Sequence, residues 1–313
     1  MKTLLKKILE KWPGLKNLLL KISEKCPLSL EQYLESELRP VVMEDSRQHS
    51  GGGSWENYFI DAILHELRQA PAAFLRMPTI SRALHPNQQG LASDYLLDLR
   101  RDSFSRLNIL PRLHDIPMGN PYLCHGFPLA SPVSVQHAYY FMLMNKYLHI
   151  IMHENDITRI VDFGGGYGNF CRLAYTFGYS GHYTIIDFPE IHALQRHYLS
   201  YGIGRHLIDK LQFITTEELH KISNNNNSLF IATFSLSETQ LEIRRRIYPI
   251  LSGCDYFFIA YNNKFDGIDN LEYFSNLASS LKQHFAITQF ADAHRQARFF
   301  MGRRKEQLCY KEF

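Results

Sequence analysis

No window of the 313-residue chain holds the ~18 or more consecutive apolar residues that a bilayer-spanning helix needs. The apolar stretch behind the first lysines is broken by charge and contains no small-residue cleavage site, so a secretory leader is not expected. Cysteine is scarce. The five residues, at 26, 124, 171, 254 and 309, form no C-x-x-C pair, which argues against structural zinc and fits a reducing compartment. The expected address is the cytoplasm. A large net charge is also missing: the balance is only +3, so the composition does not favour a nucleic-acid partner. An apolar fraction of 45% and a charged fraction of 21% are ordinary for a globular protein, and the length suffices for one large core with a smaller attached region.

What charge there is has been distributed unevenly. Residues 1–25 carry seven lysines against Glu10 and Glu24, a local excess of +5, with Leu4, Leu5, Ile8, Leu9 and Trp12 at helical spacing between them. Such a helix docks on its own domain with its lysines in solvent, or contacts the inner face of a membrane or a partner protein. Residues 46–54 (SRQHSGGGS) read as a flexible loop, lacking the Lys-Ser/Thr of a phosphate-binding loop. A helix is predicted from Trp55 to Gln69. Residues 70–130 are interrupted by seven prolines and read as short helical pieces suited to a pocket wall or lid, and a second long helix is predicted over 133–153. Residues 1–119 thus form a mostly helical N-terminal region, a lid or interface, and 120–313 a second domain. The N-terminal helices either complete the monomer or build a homodimer interface.

From Ile160 the pattern changes to short apolar strands alternating with helices. Strands are predicted at 159–163, 182–187, 211–214, 229–234 and 255–261, with a terminal β pair at 284–290 and 297–302. That alternation implies an α/β fold built on a mostly parallel sheet. The asparagine run 224–227 belongs in a surface loop. The first strand runs into a glycine turn: Asp162-Phe-Gly164-Gly165-Gly166-Tyr167-Gly168. A dinucleotide fingerprint would need glycine at 169, where Asn stands, and would not need Asp162. The second strand ends in Asp187, followed by Phe188, and an acid at that tip is placed to accept hydrogen bonds from a ribose.

The D-x-G-x-G-x-G pattern with its second acid resembles the first motifs of the Rossmann-like class I methyltransferases. The wider stretches 183–199 (YTIIDFPEIHALQRHYL) and 233–239 (TFSLSET) resemble the sugar O-methyltransferases of bacterial surface-polysaccharide clusters, over roughly residues 120–302. The resemblance implies a Rossmann-like class I sheet with a terminal antiparallel strand, S-adenosyl-L-methionine as cofactor and S-adenosyl-L-homocysteine as product. It implies an O-methyltransferase acting on a sugar hydroxyl of a bacterial surface glycan or its nucleotide- or lipid-linked precursor. The cofactor residues are then Asp162, Gly164, Gly165, Gly166, Tyr167, Gly168, Asp187, Phe188 and Ser235. Methylation of RNA, protein or a small metabolite is the alternative enzyme reading, although the amino-directed DNA methyltransferase motif is absent. A catalytically silent partner-binding module is the alternative of a different class.

A sugar hydroxyl needs a base as its bond to carbon forms. The candidates are Glu238, at the end of the fourth strand, and His125, His137 and His294 among 15 histidines. Glu238 could equally cap a helix beginning near Thr239. Ser237, Tyr261, Asn262 and Asn263, at the same sheet edge, are candidates to hold the acceptor, and Tyr139, Tyr140 and Tyr167 to stack on a sugar. Asp255, Asp266, Asp269 and Asn270 offer oxygen ligands at a spacing that selects no metal, and none is expected. The basic group Arg295, Arg298, Arg303, Arg304 and Lys305 suits either a phosphate-bearing sugar or a charge-blunted edge strand.

Overall fold

The computed structural model describes residues 60–154, 157–222 and 227–305. The lysine-rich segment 1–25, the loop 46–54, the start of the helix predicted from Trp55, and most of the asparagine run lie outside the described residues.

Strands β1 (Arg159–Phe163), β2 (His182–Ile186), β3 (Leu211–Ile214), β4 (Ser228–Thr233) and β5 (Tyr256–Asn262) are parallel. They are joined at one edge by β9 (Ala297–Arg304), antiparallel to β5, and by β8 (Phe285–Ala291), antiparallel to β9. The order is β3-β2-β1-β4-β5-β9-β8. This is the α/β, class I Rossmann-like sheet that the sequence resemblance implies, mostly parallel with antiparallel terminal strands. A short separate hairpin pairs β6 (Lys264–Phe265) with β7 (Ile268–Asp269).

The central strands are apolar on both faces because both are covered. On one face Val161, Phe163, Phe230, Phe257 and Phe300 pack with residues of α7 (Leu241–Gly253) and α8 (Asn270–Leu281). The other face meets α4 (Pro132–Leu148), whose Tyr140 ring lies 5.4 Å from Phe258 and 5.6 Å from Phe299. Beside α4 stand α5 (Asn169–Thr176) and α6 (Pro189–Gly202).

Helix α4 begins as capping chemistry dictates: the Ser131 hydroxyl accepts from the Ser134 N–H, and Pro132 occupies the first turn. It stops at Leu148, five residues before the predicted end, because His149 turns left-handed (φ 57°). The N–H groups of His149 and Ile150 then fold back onto the carbonyls of Asn145 and Met144.

Ahead of α4, the helices α1 (Ile60–Gln69), α2 (Pro78–Ala83) and α3 (Gln89–Arg101) belong to the same compact unit as the sheet, which spans Gln48–Phe313. The segment between α3 and α4 is tied down by a buried polar knot. Arg172 on α5 is fully buried and bonds Asp115 (2.9 Å), the His114 carbonyl (2.8 Å), Asn169 (2.8 Å) and the Tyr198 hydroxyl (2.9 Å). Asp115 in turn accepts from the Ser131 N–H and the Ser134 hydroxyl, each at 2.5 Å. A buried guanidinium so fully satisfied is a fixed anchor rather than a mobile cation. Among the described residues no helix is long and apolar enough to cross a membrane.

Candidate methyl-donor and acceptor site

Parallel order reverses between β1 and β4, and ligands of open α/β sheets bind outside the strands' carboxyl ends at such a point. There the chain leaves β1 through Gly164 (φ 72°), Gly166 (φ 56°) and Gly168 (φ 94°), all left-handed. Side chains would be strained at each. At Gly168 a Cβ would also stand 3.1 Å from Leu199, so its absence lets α6 close against the start of α5. At Gly164 a Cβ would fall on the Cβ of Ser235 and stand 2.9 Å from its Oγ. Ser235 donates its hydroxyl to the Phe163 carbonyl, fastening the tip of β4 to the tip of β1.

Two carboxylates flank this turn. Asp162 is buried at 1% exposure, and its Oδ2 accepts from the Tyr183 hydroxyl at 2.8 Å. Burial pushes its carboxyl up to about 7, against the downward pull of Tyr183. Asp187 is half-buried at the end of β2 and accepts from the Phe188 N–H (2.9 Å) and from Gln195 Nε2 (2.8 Å). Desolvation raises it too, to about 7; the hydrogen bonds from Phe188, Gln195 and Gly165 oppose that rise, and the charge of Asp162 adds to it.

Gln195, on α6, was not singled out in the sequence. It is fully buried, and its Nε2 also donates to the Gly166 carbonyl at 2.9 Å, so one amide locks the glycine turn to Asp187. Its Oε1 is buried without a partner among the described residues. The half-buried Asp187, held by this amide beside the glycine turn, is the acceptor that a ligand's hydroxyls can reach, and the ribose of S-adenosylmethionine fits it. From the other side, Leu84 lies 4.0 Å from where a Gly166 Cβ would stand, bringing the end of α2 up to the turn.

Tyr167 points inward instead. It is 2% exposed, its hydroxyl lies 3.3 Å from His85 Nδ1, and its ring packs edge-on against Tyr198 at 4.9 Å. It contributes its backbone to the turn and joins the turn to the N-terminal helices.

The residues expected on the acceptor side gather at the ends of β4 and β5. Phe234 follows β4 with φ 73° and ψ −32°, a strained geometry for a bulky residue, held by its N–H to the Ala260 carbonyl at 2.7 Å. A 3-10 turn, Ser235–Glu238, comes next. Glu238 is half-buried and accepts from Asn262 Nδ2 at 2.7 Å. The helix predicted to start near Thr239 begins at Leu241 with Gln240 as its cap residue, so Glu238 turns to β5 rather than to that helix. Asn263 Oδ1 is buried and unpartnered at the same edge.

Two acceptor candidates prove to be internal. Ser237 is fully buried, donating to the Phe234 carbonyl (2.7 Å) and accepting from the Asn262 N–H (3.2 Å); it bonds β4 to β5 and does not face a ligand. Tyr261 is likewise fully buried, 4.0 Å from the Phe274 ring. Tyr139 and Tyr140, at 5% and 0% exposure, are core aromatics for the same reason.

The candidate bases separate cleanly. His137 accepts from Asn169 Nδ2 at 3.2 Å, and burial together with the Arg172 charge holds it down at about 3. It stays neutral and is a weak proton acceptor. His125 is exposed in the loop before α4, where its N–H donates to Gln89 Oε1 at 3.1 Å.

His294 lies in the turn between β8 and β9. Because Asn262 pairs with Ala297, that turn stands at the carboxyl end of β5. Its Nε2 bonds Asp98 Oδ2, from α3, at 2.7 Å, and its backbone N–H donates to Asp292 Oδ1 at 2.9 Å. Tyr95 donates its hydroxyl to the other Asp292 oxygen at 2.5 Å and presents its ring edge to the imidazole at 5.3 Å. An imidazole oriented by a carboxylate at a ligand-binding edge has the parts of a general base. Asp98, Tyr95 and Asp292 left no trace in the local sequence, since the partners lie almost 200 residues apart.

No protein-family model and no curated protein matches the sequence. Among solved structures, the mitomycin 7-O-methyltransferase aligns over 80% of this chain and 69% of its own, at 13% identity and a TM-score of 0.36. The methyltransferase domain of bacterial CtHen1 aligns over 54% and 97%, at 6% identity and 0.42. An rRNA methylase from Streptococcus thermophilus aligns over 56% and 98%, at 16% identity and 0.37. Overlap at this level carries nothing about substrate.

Proposed function

We propose that this chain is an S-adenosylmethionine-dependent O-methyltransferase acting on a sugar hydroxyl of a bacterial surface glycan or its nucleotide- or lipid-linked precursor, in the cytoplasm or at the inner face of the membrane. The observation that carries the cofactor assignment is the Gln195 amide bridging the Gly166 carbonyl and Asp187, which fixes the half-buried carboxylate beside the glycine turn. Asp187 would hold the ribose hydroxyls, Phe188 would lie beside the base, and Gly164 to Gly168 would admit the methionine end. When bound, S-adenosylmethionine supplies an electrophilic methyl group on a sulfonium centre.

The remaining work falls to the chain's own residues. Glu238, steadied by Asn262, accepts a hydrogen bond from a sugar hydroxyl and orients it. His294 takes the proton of the reacting hydroxyl on its free ring nitrogen, and Asp98 stabilises the imidazolium that results. The sugar assignment rests on the sequence resemblance, and the oxygen acceptor on a base placed beside hydroxyl-binding groups.

Incubation with methyl-labelled S-adenosylmethionine and separated polysaccharide, lipid-linked saccharide, RNA and protein fractions tests the reading. Label confined to a saccharide fraction and lost in Asp187→Ala is expected. Label in RNA or protein overturns the sugar acceptor, and binding of cofactor without any transfer favours a silent module.

A further inference from the structure

The basic residues near the C-terminus divide by position along β9. Arg303 pairs with Tyr256 at the start of β5, and so lies with Arg304 and Lys305 at the end of the sheet away from the site. Arg304 is spent there on the Ser252 and Cys254 carbonyls, at 2.6 and 2.9 Å, and on Asp255 at 3.5 Å. Arg298 shares a hydrogen bond with the buried Tyr261. Arg295 also stands at the carboxyl edge, next to His294, and makes no such hydrogen bond among the described residues.

Its guanidinium is half-buried and lies 4.3 Å above the ring of Phe234, the strained residue at the tip of β4. Phe234 is followed by Ser235, which is bonded to the end of β1, so the arginine sits on the residue next to the one that fastens β4 to β1. Among the described residues no carboxylate pairs with it. The two acids that bond His294 are engaged elsewhere: Asp292 by the Tyr95 hydroxyl and the His294 N–H, Asp98 by the His294 ring. A guanidinium desolvated on one face by an aromatic ring and left without a counter-ion keeps its donor fork for a planar or tetrahedral oxyanion.

We infer that the methyl acceptor is an acidic saccharide, and that Arg295 binds its carboxylate or phosphate while the neighbouring hydroxyl faces His294. This rests on the methyltransferase reading above. The arginine sets specificity and takes no proton.

The test resolves labelled product by anion exchange, before and after treatment with phosphodiesterase followed by phosphatase and, separately, carbodiimide reduction of carboxylates. The saccharide fraction of cells lacking the gene serves as acceptor. Label should elute as an anion and lose its retention after one of the two treatments, which tells phosphate from carboxylate. Glucuronate or glucose 1-phosphate, added as competitor, should depress transfer where glucose does not.

Arg295→Gln should raise KM for the isolated acceptor about tenfold or more, with kcat changed less than about threefold. Arg295→Lys should recover part of the loss, and S-adenosylmethionine affinity should be equal in all three proteins. Label in a neutral saccharide, or an unchanged KM in Arg295→Gln, overturns the inference and leaves methyl transfer standing. Label found only outside the saccharides overturns both.

Discussion

Gly164→Ala is the sharpest perturbation of the cofactor turn. At φ 72° an alanine sits in left-handed space, at a cost of about 1–2 kcal/mol. Its Cβ would also collide with that of Ser235, whose position is fixed by the bond to the Phe163 carbonyl. Relieving such overpacking costs about 1–3 kcal/mol, and pushing Ser235 away forfeits a hydrogen bond worth about 1 kcal/mol. The sum is about 3–6 kcal/mol, a fall in Tm of roughly 6–24 °C for a domain of this size. Thermal denaturation without cofactor and calorimetric titration with S-adenosylmethionine measure the two effects. Adding Ser235→Gly removes the colliding Cβ, so the double variant should be more stable than the sum of the single effects predicts, by about 1 kcal/mol or more. A Gly164→Ala protein within about 2 °C of the wild type, or strict additivity with Ser235→Gly, refutes the steric argument.

Asp162 makes stability pH-dependent. Its folded carboxyl titrates near 7 against 3.8 for an ordinary aspartate, so between those values the folded state holds a proton that the unfolded chain has released. Its contribution is therefore full below the lower value and lost as pH rises through the upper. Asp162→Asn should gain stability relative to wild type on going from about pH 4.5 to about pH 7.5 in urea titrations of the cofactor-free protein, and an equal difference at both would contradict this. The Arg172–Asp115 pair is buried on both sides, so Asp115→Ala should destabilise by about 3–5 kcal/mol in denaturant, and Arg172→Met in the same chain should restore part of the loss. His294→Gln should lower kcat by about 10²–10⁴-fold at unchanged cofactor affinity, with Asp98→Asn losing less; loss of cofactor binding instead would mark the pair as structural.

The sheet was readable because each central strand is a short apolar run closed by turn chemistry, and the β1–β5 boundaries fall within a residue of those expected. The end of α4 was not. Ile150, Ile151 and Met152 continue the helical apolar pattern after the chain has turned at His149, since they pack as a loop. At the site, glycine spacing and the acid at the β2 tip are the local signals on which the proposed donor cradle rests. Gln195 carried a local signal that was missed: a lone amide on the stripe of Ile191, Leu194 and Tyr198, all buried. Ser237 and Tyr261 stand at the right edge but face inward, which strand position alone does not tell. The Asp98–His294 pair spans 196 residues and belongs to tertiary structure only.

Calorimetric titration of wild type and Asp187→Ala with S-adenosylmethionine tests the central claim most directly. The account predicts a single saturable site in the wild type, weakened about tenfold or more by the substitution while the fold, read by circular dichroism, is retained. No binding to the wild type, or equal affinity in both proteins, would contradict the assignment of the glycine turn and Asp187 to the methyl donor.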